Sequence, residues 1–165
     1  MKILVLSDTH ISGVKVRLPQ EVEKELTTCQ LCLHAGDFVE YSVFEKLSSL
    51  INTYGVCGNM DSEEVRKRLP LKQIIPVENV NIGLIHGRGA PNNLISYVKK
   101  EFSQHWAKID IFIFGHSHFP LDKVVEGKIY FNPGSPTDKV FAPYNSYGII
   151  EIKEGVIKRR IVRIG

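Results

Sequence analysis

The sequence predicts an α/β protein in which mixed β-sheets pack face to face between helices. Three observations carry that expectation. Through roughly the first two thirds of the chain, short apolar runs alternate with segments of helical periodicity, the mark of strand–helix units. Beyond Pro120 the helices stop, and two pairs of strand-like segments flank Glu126-Gly127 and Glu154-Gly155, as antiparallel hairpins do. Finally, 165 residues, 43% of them hydrophobic, can bury one sizeable core with little left for another, so residues 1–165 are expected to form a single domain.

Lys2 to Leu6 is a nearly continuous apolar run ending in Ser7-Asp8-Thr9-His10, which reads as a strand buried on both faces that delivers polar residues at its carboxyl end. Arg17 to Thr28 has Pro19 near its start, acidic residues early and Val22 four positions before Leu26, the pattern of an amphipathic helix. Leu31 to Ala35 is the next buried strand and runs into Gly36-Asp37. Ser42 to Ile51 sets Val43, Phe44, Leu47 and Leu50-Ile51 at helical spacing, and Thr53 to Cys57 is a third strand entering Gly58-Asn59. A short charged helix follows Asp61 to about Leu69, where Pro70 limits it. Val80 to Ile85 is a strand ending in His86-Gly87, Leu94 to Phe102 a helix, and Ile109 to Phe114 a strongly apolar strand ending in Gly115-His116-Ser117-His118. The closing hairpins are Leu121–Val125 with Lys128–Phe131, and Tyr147–Lys153 with Val156–Arg163.

Composition excludes several classes. The net charge is +3 from 21 basic and 18 acidic residues, with no basic block beyond Lys158-Arg159-Arg160, which is too mild for a nucleic-acid binder. No apolar run approaches a membrane span, and the apolar stretch after Lys2 is too short for a signal peptide, so a cytoplasmic protein is expected. Three cysteines make no disulfide framework. Cys29 and Cys32 have C-x2-C spacing without a second pair and read as partly buried thiols, and Cys57 as apolar filler.

Ligands of open α/β sheets bind beyond the carboxyl ends of the strands. Five strands here end in Asp8-Thr9-His10, Gly36-Asp37, Gly58-Asn59, His86-Gly87 and Gly115-His116-Ser117-His118, so the side chains suited to metals fall on one edge. Residues two apart on an extended segment face the same way, so Asp8 with His10, and His116 with His118, are expected to converge. Taken singly, an Asp or His at a strand end is more often a turn former. Jointly, four of the six histidines of the chain stand in one polar series, and no structural need places Gly-His-Ser-His after a core strand. Seven ligands without a thiolate are too many for one structural zinc. Two ions fit better, with a carboxylate bridging ions roughly 3.5–4 Å apart. The mixed oxygen and imidazole set suits Mn, Fe, Zn, Ni or Co, with Mn the first choice and Mg alone a poorer one.

The ordered series D-x-H, G-D, G-N, H, G-H-x-H, from Asp8 to His118, resembles the calcineurin-like metallophosphoesterases. The resemblance implies their four-layer αββα sandwich. It also implies a first metal on Asp8, His10 and His118, a second on Asn59, His86 and His116, and Asp37 bridging. The short length, His34-Ala35-Gly36-Asp37 and Asn132-Pro133-Gly134-Ser135 are similar to the small bacterial and archaeal phosphodiesterases, a group related in fold to the scaffold subunit of retromer. The expected activity is therefore hydrolysis of a phosphodiester by in-line attack of a metal-bridging hydroxide on a small phosphate ester, a nucleotide among the options. Phosphomonoesterase activity and a metal-binding scaffold are the alternatives. A scaffold typically loses ligands, and all seven positions are kept here.

Two departures from the family pattern stand out. Met60 follows Gly58-Asn59 where many members carry a His near the leaving group, and Arg88 stands where the small group often has the last residue of His-Gly-His. Arg88 is a catalytic candidate beside Asn59, as a fork on a phosphate oxygen, with a solvated loop Arg the alternative. Asp61 reads as the N-cap of its helix, with Glu64 completing a capping-box-like pattern, ahead of a role in orienting a ligand. His34 reads as a satisfied core histidine, His105 as a surface residue, and Trp106, Phe102, Phe112 and Phe114 as core.

Overall fold

The protein, seen in a computed structural model, is described for residues 1–13 and 17–165. Two five-stranded mixed sheets form its centre. In the first, β1 (Lys2–Leu6) lies parallel to β2 (Leu31–His34), which lies parallel to β3 (Thr53–Gly55); on its other edge β1 pairs antiparallel with β9 (Ser146–Lys153), the partner of β10 (Val156–Arg163). In the second, β5 (Val80–Ile85), β6 (Ile111–Ile113) and β8 (Lys128–Asn132) run parallel, flanked by the antiparallel edges β4 (Lys72–Val77) and β7 (Leu121–Val125). The two closing hairpins thus serve different sheets.

Strand alternation makes the layers. Ile3 and Val5 of β1, Leu31 and Leu33 of β2, Ile82 and Leu84 of β5, and Ile111 and Ile113 of β6 fill one core between the sheets. Leu4, Leu6 and Cys32 face the other way and are covered by Val22 and Leu26 of α1 (Gln20–Leu26), Val43 and Leu47 of α2 (Tyr41–Leu50) and Val65 of α3 (Glu63–Arg68). Phe112 and Tyr130 on the far face of the second sheet meet Leu94 and Val98 of α4 (Leu94–Glu101). The central strands β1, β2, β5 and β6 are apolar on both faces because both are covered, and each fully buried side chain contributes roughly 1.5–3 kcal/mol by leaving water. The result is a helix–sheet–sheet–helix sandwich. No helix among the described residues is long and apolar enough to cross a membrane.

Two expectations are corrected. The first helix spans Gln20–Leu26 rather than Arg17–Thr28, because Pro19 stands at its N-cap in extended geometry (ψ 144°) and Thr27 closes it. A strand not anticipated, β4, spans Lys72–Val77 despite Pro76. It lies at a sheet edge, where an absent N–H costs no ladder bond, and buries only Ile75 and Val77.

Candidate metal centre

The loops after β1, β2, β3, β5 and β6 meet at one edge of the two sheets. The first two are zipped together: the Asp8 amide donates to the Gly36 carbonyl (2.9 Å), that of His10 to Asp37 (3.0 Å) and that of Ile11 to Phe38 (3.2 Å). The ligand-bearing segments are not extended, contrary to the side-alternation expected of them. Asp8 (φ 52°), His10 (43°), Asp37 (58°), His116 (70°) and His118 (59°) are all left-handed. Such residues cost on the order of 1–3 kcal/mol each and persist where their surroundings over-determine them. The convergence of Asp8 with His10 and of His116 with His118 therefore comes from tightly coiled loops.

The predicted donors do come together. His10 Nε2 and His118 Nε2 are 3.2 Å apart. Asp8 Oδ1 lies 3.4 Å from His118 Nε2, 3.9 Å from His10 Nε2 and 4.0 Å from His86 Nε2, while Asp37 Oδ2 lies 3.5 Å from His10 Nε2 and 3.3 Å from His86 Nε2. Asn59 Oδ1 sits 3.1 Å from His86 Nε2 and 3.0 Å from His116 Nδ1. Two groups have donor atoms within 4.8 Å of one another, Asp8 with His10 and His118, and Asp8 with Asp37 and His86. Asp8 belongs to both, a sharing the sequence did not suggest.

Tautomers follow from what holds the rings. His86 Nδ1 faces the Ala35 carbonyl at 2.7 Å, which can only accept, so Nδ1 carries a proton and Nε2 is the free donor atom. His118 Nδ1 donates to Asp138 Oδ2 (2.5 Å), again leaving Nε2 for the centre. Imidazole nitrogens and carboxylate oxygens thus face each other within 4.0 Å with their lone pairs converging, a donor set that one or two cations satisfy.

In the metal-free state the charges respond to one another. The Asp8 contact, against the effect of burial and with help from Asp138, raises the His118 imidazole to about 9. Burial works to raise Asp138, but His118 and the backbone N–H groups of Val140, Ala142 and Phe141 hold it down at about 2. Burial and the neighbouring His86 lower His116. Burial also opposes the contacts that shift Asp37 and His86, yet their mutual attraction prevails, lowering Asp37 and raising His86.

Several residues around the donors were missed or misread. Asp61 is not the N-cap of α3; Ser62 is, accepting from the Val65 amide. The buried Asp61 carboxylate instead accepts from the amides of Asp37 (3.1 Å), Val39 (2.7 Å) and Gly58 (2.7 Å). It clamps Asp37 and Val39 (φ 77°) in their left-handed geometry, which is where its charge is most useful. The Asn132-Pro133-Gly134-Ser135 segment braces the ligand loops: Ser135 Oγ donates to the Asp8 carbonyl (2.7 Å) and Asn132 Nδ2 to that of Gly115 (3.0 Å). Asp138 could have been suspected only as an acid near a motif. Met60 is 58% exposed, and its amide donates to Asp37 Oδ1 (2.8 Å), while Oδ2 faces His86 and His10. Arg88 is exposed and lines a cleft beside the centre with His86, Asn59 and His116. His34 is the buried histidine expected: its Nδ1 accepts from the Gly36 amide, its Nε2 meets Thr9 Oγ1 at 3.1 Å, and its ring stacks on Phe38. His105 is exposed, and Trp106 packs beside Tyr130 as core.

A profile of the calcineurin-like phosphoesterase superfamily domain matches residues 1–155. The chain belongs to that superfamily. Within it, the chain is 34% identical over 142 residues to a probable metallophosphoesterase of Methanocaldococcus jannaschii, covering 83% of this chain and 69% of that one. It is 25% identical over 146 residues to a phosphodiesterase of the same organism, covering 81% and 83%. Among solved members of the fold, wild-type Vps29 of Entamoeba histolytica in complex with Zn2+ superimposes with a TM-score of 0.72 over 99% of both chains, at 27% identity. The αββα sandwich and the His/Asp clusters are those of a calcineurin-like phosphoesterase.

Proposed function

We propose that the chain is a phosphodiesterase dependent on two divalent metals. The observation that carries this reading is the convergence of Asp8, Asp37, His10, His86 and His118 donor atoms within 3.2–4.0 Å at the edge of an open cleft of about 630 Å3. Asp8, His10 and His118 would hold one ion and Asn59, His86 and His116 the other, with Asp37 Oδ2 between them. Such ions, when bound, activate water as a nucleophile and polarise a phosphoryl oxygen. The chain supplies orientation: Asp138 and the Ala35 carbonyl fix two imidazoles, Asp61 fixes the Asp37 loop, and Met60 anchors Asp37 through its amide.

No side chain at position 60 can protonate a leaving oxygen, so esters with acidic leaving groups are the better substrates. The imidazole-rich set suits Mn first, with Ni, Fe, Co and Zn as further choices; zinc gains weight from the Vps29 complex. The diester preference draws on the phosphodiesterase relative. The three free thiols suit a reducing, cytoplasmic setting.

The test is an assay of metal-stripped protein restored with Mn2+, Ni2+ or Zn2+, on an aryl phosphodiester and an aryl phosphomonoester. Metal-dependent turnover with the diester ahead is expected. A faster monoester would reassign the activity to a monoesterase, and no metal-dependent turnover on either would leave a metal-binding scaffold.

A further inference from the structure

Two clefts of unlike chemistry meet at Asn59 and His116, which line both. The first, about 630 Å3, opens over His10, Asp37 and His118, and among the described residues no Lys or Arg lines it. Met60, Pro91, Phe119 and Phe141 give it an apolar wall, beside the hydroxyls of Ser117 and Thr137. Phe119 and Phe141 are 48% and 69% exposed, so two phenyl rings are held in water at the mouth of a polar site. The loop bearing Phe141 is itself tied down, because the amides of Val140, Phe141 and Ala142 all donate to the Asp138 carboxylate. The Phe141 ring stands edge-on to His118 at 6.1 Å. Exposed, anchored aromatic rings beside a reaction centre offer a flat or apolar group something to stack on.

The second cleft, about 750 Å3, contains His86, Asn59 and His116 together with Arg66, Lys72 and Arg88. Among the described residues its one carboxylate, Glu101, is paired with Lys72 at 3.1 Å. Arg66 donates through Nη2 to the Asn59 carbonyl, an engagement that fixes it beside the centre without neutralising it. Arg88 projects from the His86 loop between Gly87 (φ 103°) and Gly89 (φ 93°). The cleft is therefore net cationic, whereas its neighbour is apolar and lined by the acids Asp37 and Asp138.

We infer that the substrate is a phosphodiester with two unlike arms: an aromatic arm stacked by Phe119 and Phe141, and an arm bearing a second phosphate held by Arg88 and Arg66. This rests on the phosphodiesterase reading and deepens it. Arg88 then acts at a distance from the bond that breaks, as a specificity residue, rather than on the reacting phosphate as expected from the sequence. A planar guanidinium suits a terminal phosphate, which it binds in bidentate fashion.

The experiment compares two probes that differ only by a terminal phosphate, the dinucleotides ApA and 5′-phosphorylated pApA, on Mn2+-loaded protein. Binding is read by calorimetry and turnover by product analysis. Tighter binding of pApA, by roughly ten-fold or more, is expected from one charge-assisted contact. In the Arg88→Gln variant that preference should shrink to about two-fold or less. In the Phe141→Ala variant both probes should weaken together with the preference intact. Equal binding of the two probes by the unmodified protein overturns the inference. So does an Arg88→Gln variant that weakens both equally, which would return Arg88 to the reacting phosphate. An apolar cleft that serves a protein partner instead would show as Phe141→Ala leaving both dinucleotides unaffected, and this too overturns it. Binding preference without turnover of either probe, or of an aryl diester, would remove the enzymatic reading and with it the assignment of a substrate, leaving a two-armed phosphodiester-binding site.

Discussion

His118 shows how much of the centre is set by residues that never touch an ion. Its Nε2 faces the centre because Nδ1–H donates to Asp138, and Asp138 is held in turn by three successive backbone amides. Replacing Asp138 by Asn keeps the size but loses the charge and one of the two acceptor oxygens. Metal affinity, titrated calorimetrically, should fall by about 10- to 100-fold while the far-ultraviolet circular dichroism is unchanged. His34 makes the opposite case, a histidine whose burial keeps it neutral, its pKa well below the ordinary value. The unfolded chain takes up a proton near pH 6.5 and the folded one does not, so stability is lost as pH falls through that value. Urea melts of metal-free protein and of its His34→Gln variant should show the unmodified protein losing about 1.4 kcal/mol more between pH 7.5 and 5.5. An identical pH response in the two proteins would contradict the burial argument.

At the scale of elements, the strands deliver and the loops aim. The β3 loop and the β2 loop approach each other tightly at the backbone, where a Cβ on Gly58 would stand 2.1 Å from Asp37 Oδ1 and 2.6 Å from the Asp37 amide. Gly58→Ala must therefore move backbone, and a loss of about 2 kcal/mol or more in a denaturant melt, with weakened metal binding, is expected. The strand ends were legible in the sequence because apolar runs bounded by polar residues carry their own signal, and all seven donors follow from that pattern. The aim of the loops was not legible. Asp8 and His116 were read as ends of extended segments, yet left-handed geometry at a non-glycine residue leaves no mark in composition. Asp61 was misassigned because Ser62, one residue on, offers the same capping chemistry. The edge strand β4 escaped because Pro76 argues against a strand anywhere but at an edge, and which strand is an edge is a property of the sheet.

For the whole molecule, the centre is a seam: its donors come from both sheets, with Asp8, His10, Asp37 and Asn59 following strands of one and His86, His116 and His118 following strands of the other. An ion bound there fastens the sheets to each other. At an ion concentration 100 times the Kd, binding should stabilise the fold by about 2.7 kcal/mol, so the melting temperature should drop by several degrees on chelation and return with Mn2+. The same topology has a consequence in time. Strand β1, made before both of its neighbours, lies between β2 and β9, and Asp8 waits for a partner 108 residues downstream in the amide of His116. A growing chain thus offers passing ions only scattered donors, and the site closes after the β6 loop and β9 have been made. Metal choice would then fall to a finished cage, in equilibrium with the surrounding ions, rather than to whichever ion meets the nascent chain first.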